Sequence, residues 1–144
     1  MVDKILYSSR SEEWETPQDL FDELNKEFNF VLDPCATKEN AKCVNYITKE
    51  RDGLSYPWSE FDGTVFVNPP YGRDVGKWIK KAKQESENGC TVICLVYART
   101  DTKWFHDYCL DAEIRFIKGR LKFGGAKNSA PAPSMIVIFR RKDE

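Results

Sequence analysis

The chain has 144 residues, 41% of them apolar and 31% charged, with a formal net charge of −1. That is the size and composition of one folded domain with its own core, and it excludes a disordered tail or a fibrous repeat. The longest apolar stretch, Cys90 to Ala98, is too short to span a bilayer, and MVDKILYSSRSEEWE carries no apolar signal core, so no membrane partner and a cytoplasmic location are expected.

In chain order, residues 1–13 are polar and read as a loose lead into a single domain covering 1–144. Thr16 and Pro17 open a helix: threonine is a good N-cap, proline suits the first helical position, and Asp19 adds negative charge to the first turn. Leu20, Phe21, Leu24 and Phe28 then fall on one face. Phe30 to Asp33 reads as a strand stopped by Pro34, and Cys43 to Thr48 as another. Asp52-Gly53-Leu54 and Tyr56-Pro57-Trp58 read as loop. Thr64 to Asn68 is a strand ended by Pro69-Pro70. Val75, Trp78, Ile79 and Ala82 make a helical stripe that Asn88-Gly89 terminates. The apolar run Thr91 to Tyr97 suits a strand buried on both faces. A short helix carrying Trp104, Phe105, Tyr108 and Leu110 follows, then strands over 114–117 and 135–139.

Strands alternating with helices predict an α/β fold, a mainly parallel sheet with helices on both faces. The last two strands, joined by the Gly/Pro-rich segment 119–133, are expected as an antiparallel pair at one edge. Ligands of such sheets bind at the carboxyl ends of the strands. Asp33-Pro34-Cys35, Asn68-Pro69-Pro70-Tyr71 and Tyr97-Ala98-Arg99 stand there. The five cysteines (35, 43, 90, 94 and 109) form no CxxC pair and share the chain with a single histidine, His106. Reduced core thiols and no metal are expected.

Charge is uneven. Residues 1–113 hold 14 Lys and Arg against 21 Asp and Glu, whereas 114–142 hold eight basic residues and no acidic one. A basic segment on an acidic protein suits a polyanion, or a solvated face whose lysines guard an edge strand.

The chemistry lies in Asn68-Pro69-Pro70-Tyr71. Two prolines fix φ and remove two N–H donors, which leaves a stiff, acceptor-rich turn: the Asn68 side-chain oxygen and the Pro69 carbonyl. Such a pair suits a planar amino group with two hydrogens, and Tyr71 adds a ring face. Accepting both hydrogens favours a pyramidal, more nucleophilic nitrogen and offsets the positive charge that grows during attack. No strong general base is then needed, which fits a chain with one histidine.

These residues resemble the amino-methyltransferase signature of S-adenosylmethionine-dependent enzymes. The ordered set WETPQDLF (14–21), FVLDPCA (30–36), RDGL (51–54) and VFVNPPYG (65–72), with LVYARTDTKWFHD (95–107) and RFIKGRLKF (115–123), is similar to the compact phage DNA N-6-adenine methyltransferases over residues 14–140. The resemblance implies a compact Rossmann-like methyltransferase fold, transfer of a methyl group from S-adenosylmethionine to adenine N6 in DNA, and residence in a bacterial cell or a phage-infected host. It places Thr16 near the cofactor carboxylate, Asp33 at its amino-acid end, Pro34 and Cys35 beside it, and Asp52 and Leu54 at its adenine, with Glu50 a weaker candidate for its ribose. Asn68, Pro69, Pro70 and Tyr71 hold the target base, with Tyr71 stacked on it and Phe123 closing its other face. Arg99 meets a phosphate or a neighbour such as Asp101. Apart from the resemblance, the irregular segment 119–133 with Arg115, Lys118, Arg120, Lys122 and Lys127 around it is expected to track the DNA backbone.

Two features depart from the pattern. The loop after the first strand, DPCATKEN, has no glycine, so its path must differ. The chain also has no room for a separate target-recognition domain, so a short recognition sequence, or specificity supplied by a homodimer, is expected. Two other readings stay open at this point: an enzyme of the same signature acting on RNA or a protein glutamine, and an inactive DNA-binding module.

Overall fold

A computed structural model describes residues 15–124 and 128–142 of the chain. The segment 1–13 and Lys127 lie outside the described residues. Six strands form one sheet: β1 (Phe30–Asp33), β2 (Asn45–Tyr46), β3 (Thr64–Val67), β4 (Val92–Tyr97), β5 (Glu113–Phe116) and β6 (Ser134–Phe139), in the order β2-β1-β3-β4-β6-β5. β1 pairs in parallel with β2 and β3, and β3 with β4. β6 runs antiparallel to both β4 and β5. The antiparallel part is therefore two ladders wide. β6 is buried along its whole length and apolar from Met135 onward, so it needs a neighbour on each side, and the half-exposed β5 takes the edge.

Helices α1 (Gln18–Phe28) and α2 (Val75–Glu87) cover opposite faces. Alternation along β3 sends Phe66 one way and Val65 and Val67 the other. The Phe21 ring of α1 packs edge-on against Phe66 at 5.3 Å and lies 5.4 Å from Phe30. Burying Phe21 and Leu24 contributes about 1.5–3 kcal/mol each. On the other face α2 packs against β4 and buries Val75, Trp78, Ile79 and Ala82, the expected stripe. Gly89 follows the Asn88 cap at φ 98°, a conformation that glycine adopts without strain.

Several local expectations are corrected. Thr16 does not cap α1; Pro17 holds the N-cap position and no side chain caps it, because the Thr16 hydroxyl is turned to another partner. The stretch 43–48 has only two residues in the sheet. Val44 is 95% exposed, and beyond β2 the backbone of Ile47 turns to bond Asp33 and Ala36. Trp58, read as loop, starts a 3-10 turn (Trp58–Phe61) and is fully buried. Phe105–Cys109 forms a π-helical turn whose wide spacing carries Phe105 and Cys109 inward together, so Leu110 faces out. All five cysteines are free thiols, and Cys90, Cys94 and Cys109 are buried.

From β1 the chain crosses to β2 on one side and then to β3 on the other. The carboxyl ends of β1 and β3 therefore flank a topological switch point, where open α/β sheets bind ligands. Among the described residues, no helix is long and apolar enough to cross a membrane.

Candidate active site

A cavity of about 550 Å³ opens at that switch point. Thr16, Asp33, Pro34, Cys35, Asp52, Leu54 and Asn68 all line it, as do Glu50 and Pro70. Pro69 and Tyr71 are buried behind the rim. The volume falls in the range of small-molecule and cofactor pockets.

The floor is the end of β1. Asp33 is 5% exposed, and its carboxylate ties down both ends of the loop that follows. Oδ1 accepts from the Cys35 N–H at 3.3 Å and Oδ2 from the Lys42 N–H at 3.5 Å. Between them Thr37 and Asn40 cap each other: Asn40 Oδ1 accepts from Thr37 N–H at 2.7 Å, and Thr37 Oγ1 accepts from Asn40 N–H at 3.1 Å. Side-chain acceptors thus do what a glycine-rich turn does with bare backbone, which gives the glycine-free loop its path. Burial pushes the Asp33 carboxyl up to about 6, against the two N–H donors and the Lys42 charge that pull it down. Nothing in the sequence singles out Lys42. Its ammonium is nearly covered, donates to Glu15 Oε1 at 2.9 Å and Gln18 Oε1 at 2.8 Å, and faces the cavity with the loop.

The opposite wall is the 3-10 turn Gly53–Ser55, capped by Asp52, whose Oδ1 accepts from Leu54 N–H and Oδ2 from the Ser55 hydroxyl. Gly53 lets the two walls meet: a Cβ there would lie 2.0 Å from the Pro34 carbonyl oxygen. Its carbonyl accepts from Trp58 Nε1 at 2.8 Å. Trp58 stacks on Trp78, which lines the cavity, with ring centroids 6.2 Å apart. The buried Glu85 holds the turn that carries Trp58, accepting from Ser59 N–H and from Lys81 Nζ. A tryptophan in an apolar stripe is the only sequence signal for these supports, and it reads as plain core.

The rim is the turn after β3. Asn68 Nδ2 donates to Thr16 Oγ1 at 2.9 Å, which leaves the amide oxygen as the acceptor of that side chain. The bond joins the start of α1 to the end of β3, two segments 52 positions apart. Tyr71 is 8% exposed; its hydroxyl donates to the Leu95 carbonyl at 3.4 Å, and its ring stacks on Tyr97. Phe123, 2% exposed, meets Tyr71 edge-on.

The basic segment divides. Lys118, Arg120 and Lys122 are exposed, and Arg120 donates to the Pro131 carbonyl. Arg115 instead forms a two-pronged pair with Glu27, both bonds 2.7 Å, and also bonds Glu113. Those carboxylates hold the Arg115 guanidinium well above its usual range, and the guanidinium in turn draws the Glu27 carboxyl below its own. Arg99 is exposed, 5.8 Å above the Tyr97 ring.

The ends of β1 and β3 thus bring Asp33, Asn68 and Pro70 to one cavity at the switch point of a mainly parallel α/β sheet. Residues 5–144 match the DNA N-6-adenine-methyltransferase (Dam) family, and the chain belongs to it. The DNA N-6-adenine-methyltransferase of Haemophilus phage HP1 (strain HP1c1) is 32% identical over 139 residues, 90% of this chain and 79% of the relative. YfdM of Escherichia coli (strain K12), a protein named as a methyltransferase, is 42% identical over 65 residues, 42% of this chain and 71% of the relative. The protein is thus an enzyme that methylates adenine N6, and DNA is its substrate. Membership implies S-adenosylmethionine as the methyl donor in general terms.

Proposed function

We propose that the switch-point cavity holds S-adenosylmethionine and that the Asn68 turn presents adenine N6 to it. The observation that carries this reading is that one cavity is lined by both Asp33, from the end of β1, and Asn68, from the end of β3. The donor set fits the group: a buried carboxylate for an ammonium, a nearly covered lysine for a carboxylate, and Leu54 and Trp78 as apolar surface for a purine. Bound there, the cofactor supplies an electrophilic sulfonium methyl group.

The residues of the chain do the rest. Asp33 and Lys42 orient the amino-acid end. Thr16 fixes Asn68, so that its amide oxygen and the Pro69 carbonyl accept the two amino hydrogens and favour a reactive nitrogen. Lys118, Arg120, Lys122 and Arg99 meet phosphates, which position DNA without reading its sequence. The adenine leaves the stack at a cost of a few kcal/mol, offset in part by stacking on Tyr71. The five free thiols support a reducing compartment, the cytoplasm of a bacterial cell or a phage-infected host.

The test is nucleoside mass spectrometry of unmethylated DNA incubated with S-adenosylmethionine and the protein, beside Asn68→Ala. N6-methyladenine should form with the wild type and fall by about a hundredfold or more in the variant, as when one charge-stabilising group is removed. Near-normal product from Asn68→Ala would remove the turn from the mechanism.

A further inference from the structure

Tyr71, the ring expected under the target base, already has a stacking partner. Its centroid lies 4.2 Å from that of Tyr97, with the planes 18° apart. Phe123 stands edge-on to both rings, at 5.9 and 6.4 Å. The cavity is lined by Asn68 and Pro70 of the turn but not by Tyr71. The target side is thus closed by aromatic packing, and the ring parallel to Tyr71 is Tyr97.

We infer that Tyr97 holds the place of the target adenine: its ring covers the face of Tyr71 on which the base stacks, and it gives way when a base enters. This rests on the reading of the Asn68 turn as the adenine site. Three observations single out Tyr97 as the ring that moves. Phe123 is 2% exposed and flanked by backbone bonds from Gly124 to Glu15 and from Ala130 to Leu121. Tyr71 is anchored by its hydroxyl at Leu95. Tyr97 ends β4 half-buried, and the charge beside it, Arg99, is exposed and open to a phosphate. A DNA backbone that draws the guanidinium away from the ring loosens the stack as the base arrives.

Tyr97 then acts on specificity. A purine regains on Tyr71 what the tyrosine gives up; a smaller pyrimidine ring regains less. An aromatic pair of this kind is worth about a two- to tenfold factor in an equilibrium.

Steady-state methyl transfer to unmethylated double-stranded DNA tests this with the wild type, Tyr97→Leu and Tyr97→Phe, each checked for an unchanged melting profile. KM for DNA should fall about two- to tenfold in Tyr97→Leu without a matching change in kcat, because the competitor for Tyr71 is gone. Tyr97→Phe keeps the ring and should restore the wild-type KM. A higher KM in Tyr97→Leu would make Tyr97 a wall of the base site rather than its occupant and overturn the inference, as would an unchanged KM. A wild type that transfers no methyl group overturns the underlying reading and the inference with it.

Discussion

The two sides of the Asn68 turn are built differently. On the side proposed for the cofactor stands an open cavity whose walls are fixed by hydrogen bonds: Asp33 to its loop, Trp58 to Gly53, Glu85 to Ser59. On the side proposed for the target base three aromatic rings close on one another. The contrast suits the proposed division of labour: a preformed pocket serves a small diffusing ligand, and a closed aromatic cluster would open only for a base pulled from a duplex.

The harshest way to break this contrast is to fill the cofactor side. In Gly53→Ala the new Cβ meets the Pro34 carbonyl oxygen at 2.0 Å, so the two walls must part. Calorimetric affinity for S-adenosylhomocysteine should fall a hundredfold or more, and stability by about 3 kcal/mol on thermal melting. Retained affinity would show that the walls are not rigid.

Next in size is pH. Burial lifts the Asp33 carboxyl from 3.8 to about 6. Between those values the folded chain keeps a proton that the unfolded chain releases, so stability falls as pH rises from about 4 to about 6, by about 3 kcal/mol in all. Cofactor affinity runs the other way. In the proposed site the ionised form would face the ammonium, so affinity should drop about tenfold per pH unit below about 6, as read by calorimetry at stepped pH. A flat profile would confine the carboxylate to holding its loop.

The proposed target side should respond to salt instead. Replacing Lys118, Arg120 and Lys122 together by glutamine should weaken binding to all DNA sequences and flatten the log–log salt slope by up to about 2.7, or about 0.9 for each phosphate that is no longer neutralised. An unchanged slope in fluorescence anisotropy would move the DNA path elsewhere. The mildest probe is Trp58→Phe, which removes the donor to the Gly53 carbonyl but keeps most of the packing. It should lower stability by about 1–2 kcal/mol and raise the cofactor dissociation constant several-fold. A larger loss of affinity than of stability would locate the effect in the turn itself.

Where neighbours in sequence are neighbours in space, the fold is legible from residues alone. The strand ends at Asp33 and Asn68, the α2 stripe and the buried β4 follow from periodicity and from proline stops, and they lead to the cavity. Long-range pairing is invisible at that level. Thr16 has the composition of a cap but spends its hydroxyl on Asn68. Arg115 looks as free as Lys118 in a basic run, yet Glu27, 88 positions away, holds it. Tyr71 looks like an open platform because nothing in NPPY announces the Tyr97 ring at the end of the next strand. Lys42, Trp58 and Glu85 carry no motif, since their roles arise from where the fold delivers them.

The connection over 117–133 has both ends anchored in the sheet, by β5 and by β6, at the edge remote from β2. Along it, Phe123 packs against Tyr71 and Gly124 donates to the Glu15 carbonyl at the cavity wall, so an insertion here would be felt on both sides of the Asn68 turn: target choice and methyl transfer share one strap and evolve together.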